Sequence, residues 1–300
     1  MKLLDAARNA VALSKPKKKE SLLVVTDAPT LAIGKAIYEA AQEKCGAEIL
    51  VIKPTGGHSR EPPKKVAAAM KKADIVYCPT KYSLTHTGAS RAAKKNGATV
   101  ITLPGITRPV FIRGVGVDYK KVRRTTKRIS DKMHKAKKVR IVARGTDVTI
   151  DVRGCKRADD GGWFPRKSIH NLPSGEAAVA PKGADGFFTA KDLHLAKKAV
   201  KFTVKKGKVV GVDSPRLKRH LWKIRNARNI AELGIGTNPG AKLSDSTLEA
   251  EKVLGTCHIA VGDSKSMGGA VSAEIHWDFI INKPTIWFDR KKVMDKGRLL

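Results

Sequence analysis

The feature that most constrains this chain is a regular alternation of apolar strands and helical stretches between Glu20 and Gly105. SLLVVTD reads as a strand, Leu31 to Lys44 as a helix, and AEILVIKP as a second strand. After the turn-rich TGGHSREPP, a helix runs through VAAAMKKA, followed by strand DIVYCP, a helix near Gly88 to Asn96 and strand TVITLPG. Strands that alternate with helices predict a parallel α/β sheet with right-handed crossovers. No GxGxxG follows the first strand, so nothing marks a dinucleotide site.

Beyond this region the texture changes. The less polar positions Tyr119, Val122, Thr126, Ile129, Met133 and Ala136 fall at alternating spacings of three and four, which places them on one face of a helix. From Lys120 to Arg140 there are eleven Lys or Arg against Asp131 alone, so the other faces are basic and the helix reads as a linker. After Arg140 come short β-rich pieces, VRIVARGTDVTIDVRG and KAVKFTVKKGKVVGVD, the latter ending as a hairpin. PRLKRHLWKIRNARNIAEL reads as a basic amphipathic helix running into a loop. The expected architecture is an α/β domain over residues 1–140, closed by the basic helix, and a mixed, largely antiparallel α+β domain over 141–300.

Composition narrows the function classes. The 300 residues are 41% hydrophobic, enough for a sizeable core, which excludes disorder along the whole chain. No apolar stretch approaches the roughly 18 residues needed to span a bilayer, and Asp5 and Arg8 interrupt the opening segment. The chain therefore reads as soluble, unsecreted and cytoplasmic, with no membrane partner. Cys45, Cys78, Cys155 and Cys257 stand far apart without a CxxC pair, which excludes a zinc ribbon or disulfide scaffold. Sixty Lys and Arg against 27 Asp and Glu leave a net charge of +33, heavier before residue 140. Thermophily would raise Lys and Glu together, so the excess points to a special environment or a polyanionic partner.

The second domain holds the candidate chemistry. In GTCHIAVG, strand alternation puts Cys257, Ile259 and Val261 on one face, and Thr256, His258 and Ala260 on the other. In IHWDFII, Ile275, Trp277 and Phe279 form the apolar side, with His276 and Asp278 opposite. Two residues of strand rise separate that pair by roughly 6.6 Å, which side chains can close onto one ion. Glu176 in NLPSGEAAVAP and Glu232 in IAELGIGTNP lie in segments that look buried or turn-bound, with small residues beside them. A buried carboxylate calls for a nearby cation.

NLPSGE, AELGIGTNP, EKVLGTCHIAVGDS followed by GG, and HWDF ahead of PT together resemble, in order, the metal-site segments of the thermophilic aminopeptidase family. EPPKKVAAAMKKADIVYCPTKYSLTHTGASRAAKKNGATVITLPGIT resembles the α/β domain of the same family. The resemblance implies Glu176, Glu232, His258, His276 and Asp278 as ligands of two divalent ions, Zn, Co or Mn. One carboxylate, Glu176 or Glu232, would bridge them or act as general base. It also implies a peptide substrate, a metal-bound hydroxide as nucleophile, and a homodimer. Large members place a tyrosine shortly after the first histidine; here Asp263, Ser264, Lys265 and Ser266 follow, and Lys265 is either an oxyanion partner or a surface lysine. Ser174 and Asp263 carry no assigned role. Some relatives of that family are ring-cleaving dioxygenases of dihydroxypyridines, in which two His and one Asp hold Fe(II), a role open to His258, His276 and Asp278. Retention of both glutamates favours the dinuclear hydrolase.

Two weaker candidates and one rival class complete the reading. His86 in SLTHTGAS either lines a cleft or caps the next helix, and Glu251 either orients an imidazole or lies on a helix surface. Lys120, Lys121, Arg123, Arg124, Lys127 and Arg128, with Arg216, Lys218, Arg219, Lys223, Arg225 and Arg228, could track phosphates. The chain would then be a basic relative repurposed for RNA or ribosomes. Aromatics are 5% of the chain and look separate from these clusters, which favours structured RNA or duplex over single strands.

Overall fold

The computed structural model describes residues 2–193, 195 and 198–300. In chain order its helices and strands are α1 (Leu3–Ser14), β1 (Ser21–Asp27), α2 (Leu31–Gln42), β2 (Gly46–Ile52), α3 (Lys64–Lys72), β3 (Ile75–Thr80), α4 (Gly88–Lys95), β4 (Thr99–Pro104) and α5 (Arg108–Val115). These are followed by α6 (Tyr119–Lys135), β5 (Lys138–Ala143), β6 (Thr146–Asp151), β7 (Ile169–Asn171), β8 (Glu176–Val179), β9 (Gly183–Lys191), β10 (Ala199–Lys205) and β11 (Lys208–Val212). The chain closes with α7 (Pro215–Lys223), β12 (Ile230–Gly236), α8 (Thr247–Ala250), β13 (Thr256–Gly262), β14 (His276–Asn282), β15 (Thr285–Phe288), β16 (Lys291–Asp295) and β17 (Arg298–Leu299).

Two compact units result, residues 1–118 with 162–174, and 119–161 with 175–300. The first contains a parallel sheet in the order β2-β1-β3-β4-β7. Helices pack on it, so β1 and β3 bury nearly every side chain and read as continuous apolar runs. Thr87 caps α4 by accepting a hydrogen bond from the backbone N–H of Ser90 at 3.1 Å.

The second unit is built on an antiparallel sheet ordered β17-β16-β15-β5-β6-β9-β14-β13-β12-β8, with β10 and β11 continuing from β9. The mixed α/β plus α+β class expected from the sequence is the class observed.

Three boundaries differ from the sequence expectation. The units divide after residue 118 rather than 140, because Ile129, Met133 and Ala136 of α6 pack into the core of the second unit. Residues 162–174 return to the first unit, where β7 pairs with β4. The basic helix α7 stops at Lys223, and IAELGIG forms β12, buried between β13 and β8. Pairing on both sides decides that segment, which local pattern cannot anticipate. Among the described residues no helix is long and apolar enough to cross a membrane.

Candidate metal centre

Register places the candidate ligands. Across β12, β13 and β14, Glu232 pairs with Ala260 and Ala260 with Asp278; one row on, Gly234 pairs with His258 and His258 with Ile280. Directly opposed residues share a face, so Glu232, His258 and Asp278 lie together, with His276 opposite Gly262 and Glu176 opposite Gly236. The intervening residues are small, and this is what gives the functional side chains room. A Cβ on Gly234 would lie 2.1 Å from His258 Cε1 and 2.2 Å from its Nε2, so the imidazole occupies the space that only glycine leaves. The opposite face carries Leu233, Ile235, Cys257, Ile259, Val261, Phe279 and Ile281, all in the main core of the unit.

The polar side chains converge. Glu232 holds both imidazoles: its Oε1 is 3.4 Å from His258 Nε2 and its Oε2 is 2.9 Å from His276 Nε2. Asp278 Oδ1 lies 3.9 Å from His258 Nε2 and 3.6 Å from His276 Nε2, and Glu176 Oε2 is 3.5 Å from His258 Nε2. Two sets offer ligand atoms mutually within 4.8 Å, Glu176 with Glu232 and His258, and Glu232 with His276 and Asp278. His276 Nδ1 donates to the carbonyl oxygen of Asp263 at 2.7 Å, which fixes the proton on Nδ1 and turns Nε2 toward the carboxylates.

Burial sharpens the charges. It would raise the Glu232 carboxyl, but hydrogen bonds from His258 and His276 override it and bring the pKa down to about 2. Burial would likewise lower His258, yet Glu232, Glu176 and Asp278 carry it up to about 9. His276 is raised well above the usual histidine range: the charge of Asp278 and its hydrogen bonds to Asp278 and Glu232 outweigh desolvation. The cluster is thus a buried anionic pocket that holds protons in place of a stronger cation.

A divalent ion fits these residues. His258 Nε2 faces Glu232 and Asp278, the ligand atoms of Glu232, His276 and Asp278 lie mutually within 4.8 Å, and mixed imidazole and carboxylate donors suit first-row transition metals.

One charged residue at the site lies within a quoted segment, EKVLGTCHIAVGDS, but has no role assigned from sequence. Lys252, 2% exposed, follows α8 and forms a close ion pair with Glu176 Oε1. Its Nζ also stands 3.0 Å from Glu251 and 3.9 Å from Asp160. Burial alone would lower this lysine; Glu176, Glu251 and Asp160 together hold it well above its ordinary value, so it stays an ammonium. The adjacent Glu251–Lys252 pair in EAEKVLG is the only sequence trace of it.

The other candidates are placed as follows. Glu251 is half-buried beside the cluster and pairs with Lys252 rather than with an imidazole. Lys265 is exposed on the 3-10 turn Lys265–Met267. His86 is exposed in the first unit; its carbonyl accepts from Arg91, and Thr87, not His86, caps α4. Asp263, without a role from sequence, holds His276 through its carbonyl. On α6, Lys120, Lys121, Arg124, Lys127 and Arg128 are exposed and Arg123 is half-buried; around α7, Arg216, Lys218, Arg219, Lys223 and Arg225 are exposed and Arg228 half-buried.

The family model described as NicX: 2,5-dihydroxypyridine 5,6-dioxygenase matches residues 2–300. No curated protein matches the sequence. Among solved structures, the fold is similar to 2,5-dihydroxypyridine dioxygenase from Pseudomonas putida, with a TM-score of 0.80 at 17% identity, covering 99% of this chain and 96% of that one. It is also similar to AmpT from Thermus thermophilus, with a TM-score of 0.71 at 15% identity, covering 99% and 98%. The likeness to AmpT agrees in fold with the resemblance seen in the sequence, and the match over nearly the whole length decides the family: the chain belongs to the 2,5-dihydroxypyridine 5,6-dioxygenase family.

Proposed function

We propose that this chain is a non-haem iron dioxygenase that opens the ring of a dihydroxypyridine, rather than the dinuclear aminopeptidase favoured by the two glutamates. The observation that carries this reading is Lys252. A dinuclear hydrolase asks Glu176 to serve a second ion, whereas here a buried ammonium already neutralises that carboxylate. Two cations competing for one carboxylate repel each other strongly in a low dielectric. Of the four that remain, His258, His276 and Asp278 form the two-histidine, one-carboxylate donor group suited to ferrous iron with open positions, with Glu232 beside them. The family match supports the same direction.

Iron bound there would supply oxygen activation and a Lewis acid for a substrate hydroxyl. Glu232 accepts from both imidazoles in the metal-free protein; with the imidazoles on iron, its carboxylate would be left to take a proton from that hydroxyl. The carbonyl of Asp263 keeps His276 in the tautomer that presents Nε2. The test is anaerobic loading of metal-free protein with Fe(II), then oxygen uptake with 2,5-dihydroxypyridine. One O2 consumed per ring lost is the expected result. No uptake with iron, together with release of p-nitroaniline from leucine p-nitroanilide by the Zn, Co or Mn form, would establish the peptidase instead.

A further inference from the structure

The charge of +33 finds no use in the metal centre, which is anionic. Several cations elsewhere in the second unit are paired: Arg140 with Asp147, Arg153 with Asp151, and Lys127 and Arg157 with Asp131. The segment around α7 is different. From Ser214 to Ala231 there is no acidic residue, and none of Arg216, Lys218, Arg219, Lys223, Arg225 and Arg228 makes an ion pair among the described residues.

The helix is firmly seated, so these cations are held in place. Ser214 caps its N-terminus, Leu217 and Leu221 are fully buried in the core, and His220 stacks on Trp277 of β14 with ring centroids 4.7 Å apart and planes at 8°. Arg216, Arg219 and Lys223 recur at helical spacing and line one shallow depression. On an adjoining face Trp222 is 39% exposed, with Lys218 Nζ 5.8 Å and Arg228 Cζ 4.7 Å from its ring centroid. The sequence expectation that aromatics stand apart from the basic clusters fails at this residue. Folding gives no reason to leave an indole in solvent among uncompensated cations, whereas a ligand with both phosphates and flat rings uses both features.

We propose that α7 and the chain leaving it, Arg216 to Arg228, bind single-stranded nucleic acid, with Trp222 stacking on an unpaired base and the flanking cations on successive phosphates. A duplex offers the phosphates but keeps its bases stacked, so the exposed indole selects the single strand. The reading is independent of the metal centre.

The test uses full-length protein stripped of nucleic acid at high salt, and fluorescence anisotropy with labelled U12, dT12 and a 12-base-pair duplex over a KCl series. Binding is expected to favour the single strands. Trp222→Ala should weaken it about 5- to 100-fold with an unchanged salt slope, and Trp222→Phe should restore most of the loss. Arg216→Gln/Arg219→Gln/Lys223→Gln should make the slope of log K against log salt shallower by about 2, at roughly 0.7 per phosphate. A control, Arg290→Gln/Lys291→Gln/Lys296→Gln at exposed positions around β16, removes equal charge and should change the affinity little. Preference for U12 over dT12 would identify RNA; equal affinity would support either sugar. Equal losses from both triple variants, a silent Trp222→Ala, or equal binding of duplex and single strand would each overturn the proposal. Binding to phosphatidylserine vesicles without binding to either oligonucleotide would also overturn it.

Discussion

Strands β12, β13 and β14 have two faces with opposite chemistry. One carries Leu233, Ile235, Cys257, Ile259, Val261, Phe279 and Ile281 into a continuous apolar core; the other gathers Glu232, His258, His276 and Asp278 around Gly234, Ala260 and Gly262. The apolar face contributes the stability, about 1.5–3 kcal/mol for each large side chain buried. That surplus lets the polar face hold carboxylates close together, an arrangement unfavourable without a cation. The difference teaches that the site is a property of register: a slip of one residue would send the ligands into the core.

The comparison breaks most severely at Lys252. Lys252→Met should cost the metal-free protein about 3–5 kcal/mol, because Glu176 and Glu251 lose their buried counter-ion. Excess Mn(II) or Zn(II) should restore the urea midpoint, and metal analysis should show the ratio rising from one ion per chain to two. One ion before and after the substitution would remove the assigned role of this lysine.

On the opposite face, Ile259→Ala should cost about 2–5 kcal/mol in urea unfolding through the cavity it leaves. The folded variant should keep its metal affinity, measured by calorimetry, because the side chain lies in the core on the face opposite the ligands. Gly234→Ala should do the converse. A methyl group against the His258 ring is an overpacking costing about 1–3 kcal/mol, and metal affinity should fall at least tenfold while the apolar core stays intact.

The smallest effect is in protons. With His258 near 9 and His276 also raised, both imidazoles are protonated in metal-free protein at pH 7, so metal uptake should release at least these two protons, burial having also raised Glu176 to about 7 and Glu251 to about 8. Calorimetry in buffers of different ionisation enthalpy measures that number, and the affinity should weaken as pH falls. For folding the sign is opposite. A histidine raised in the folded state stabilises fully below its unfolded value near 6.5, and that contribution is lost as pH rises to about 9. The urea midpoint of the metal-free protein should fall across that window.

Much of this was legible in the sequence. The alternation from Glu20 to Gly105 gave the parallel sheet, and period-two patterning put His258, His276 and Asp278 on the face opposite Cys257, Ile259, Trp277 and Phe279. Small neighbours marked Glu176 and Glu232 as carboxylates with space beside them. Lys252 stayed hidden, because its burial depends on the loop after α8 meeting β8, a contact between residues 76 positions apart. Two free glutamates favour two metals and hydrolysis, whereas one glutamate bound to a lysine does not. The helix α6 was recognised by its spacing and assigned to the wrong unit, because amphipathicity shows that a face is buried and not which core buries it.

Asp263 has a further consequence. Its carbonyl receives His276 Nδ1–H, and its carboxylate accepts from the backbone N–H and hydroxyl of Ser266 and from the N–H of Ala273. One residue therefore ties both ends of the β13–β14 connection to the imidazole, and the contour length of that connection is set by chemistry. Although the segment has exposed residues, it is a poor place for a peptide tag or an inserted domain. A spacer there would rotate His276 away from its partners, so protein engineering of this scaffold should leave the connection at its present length.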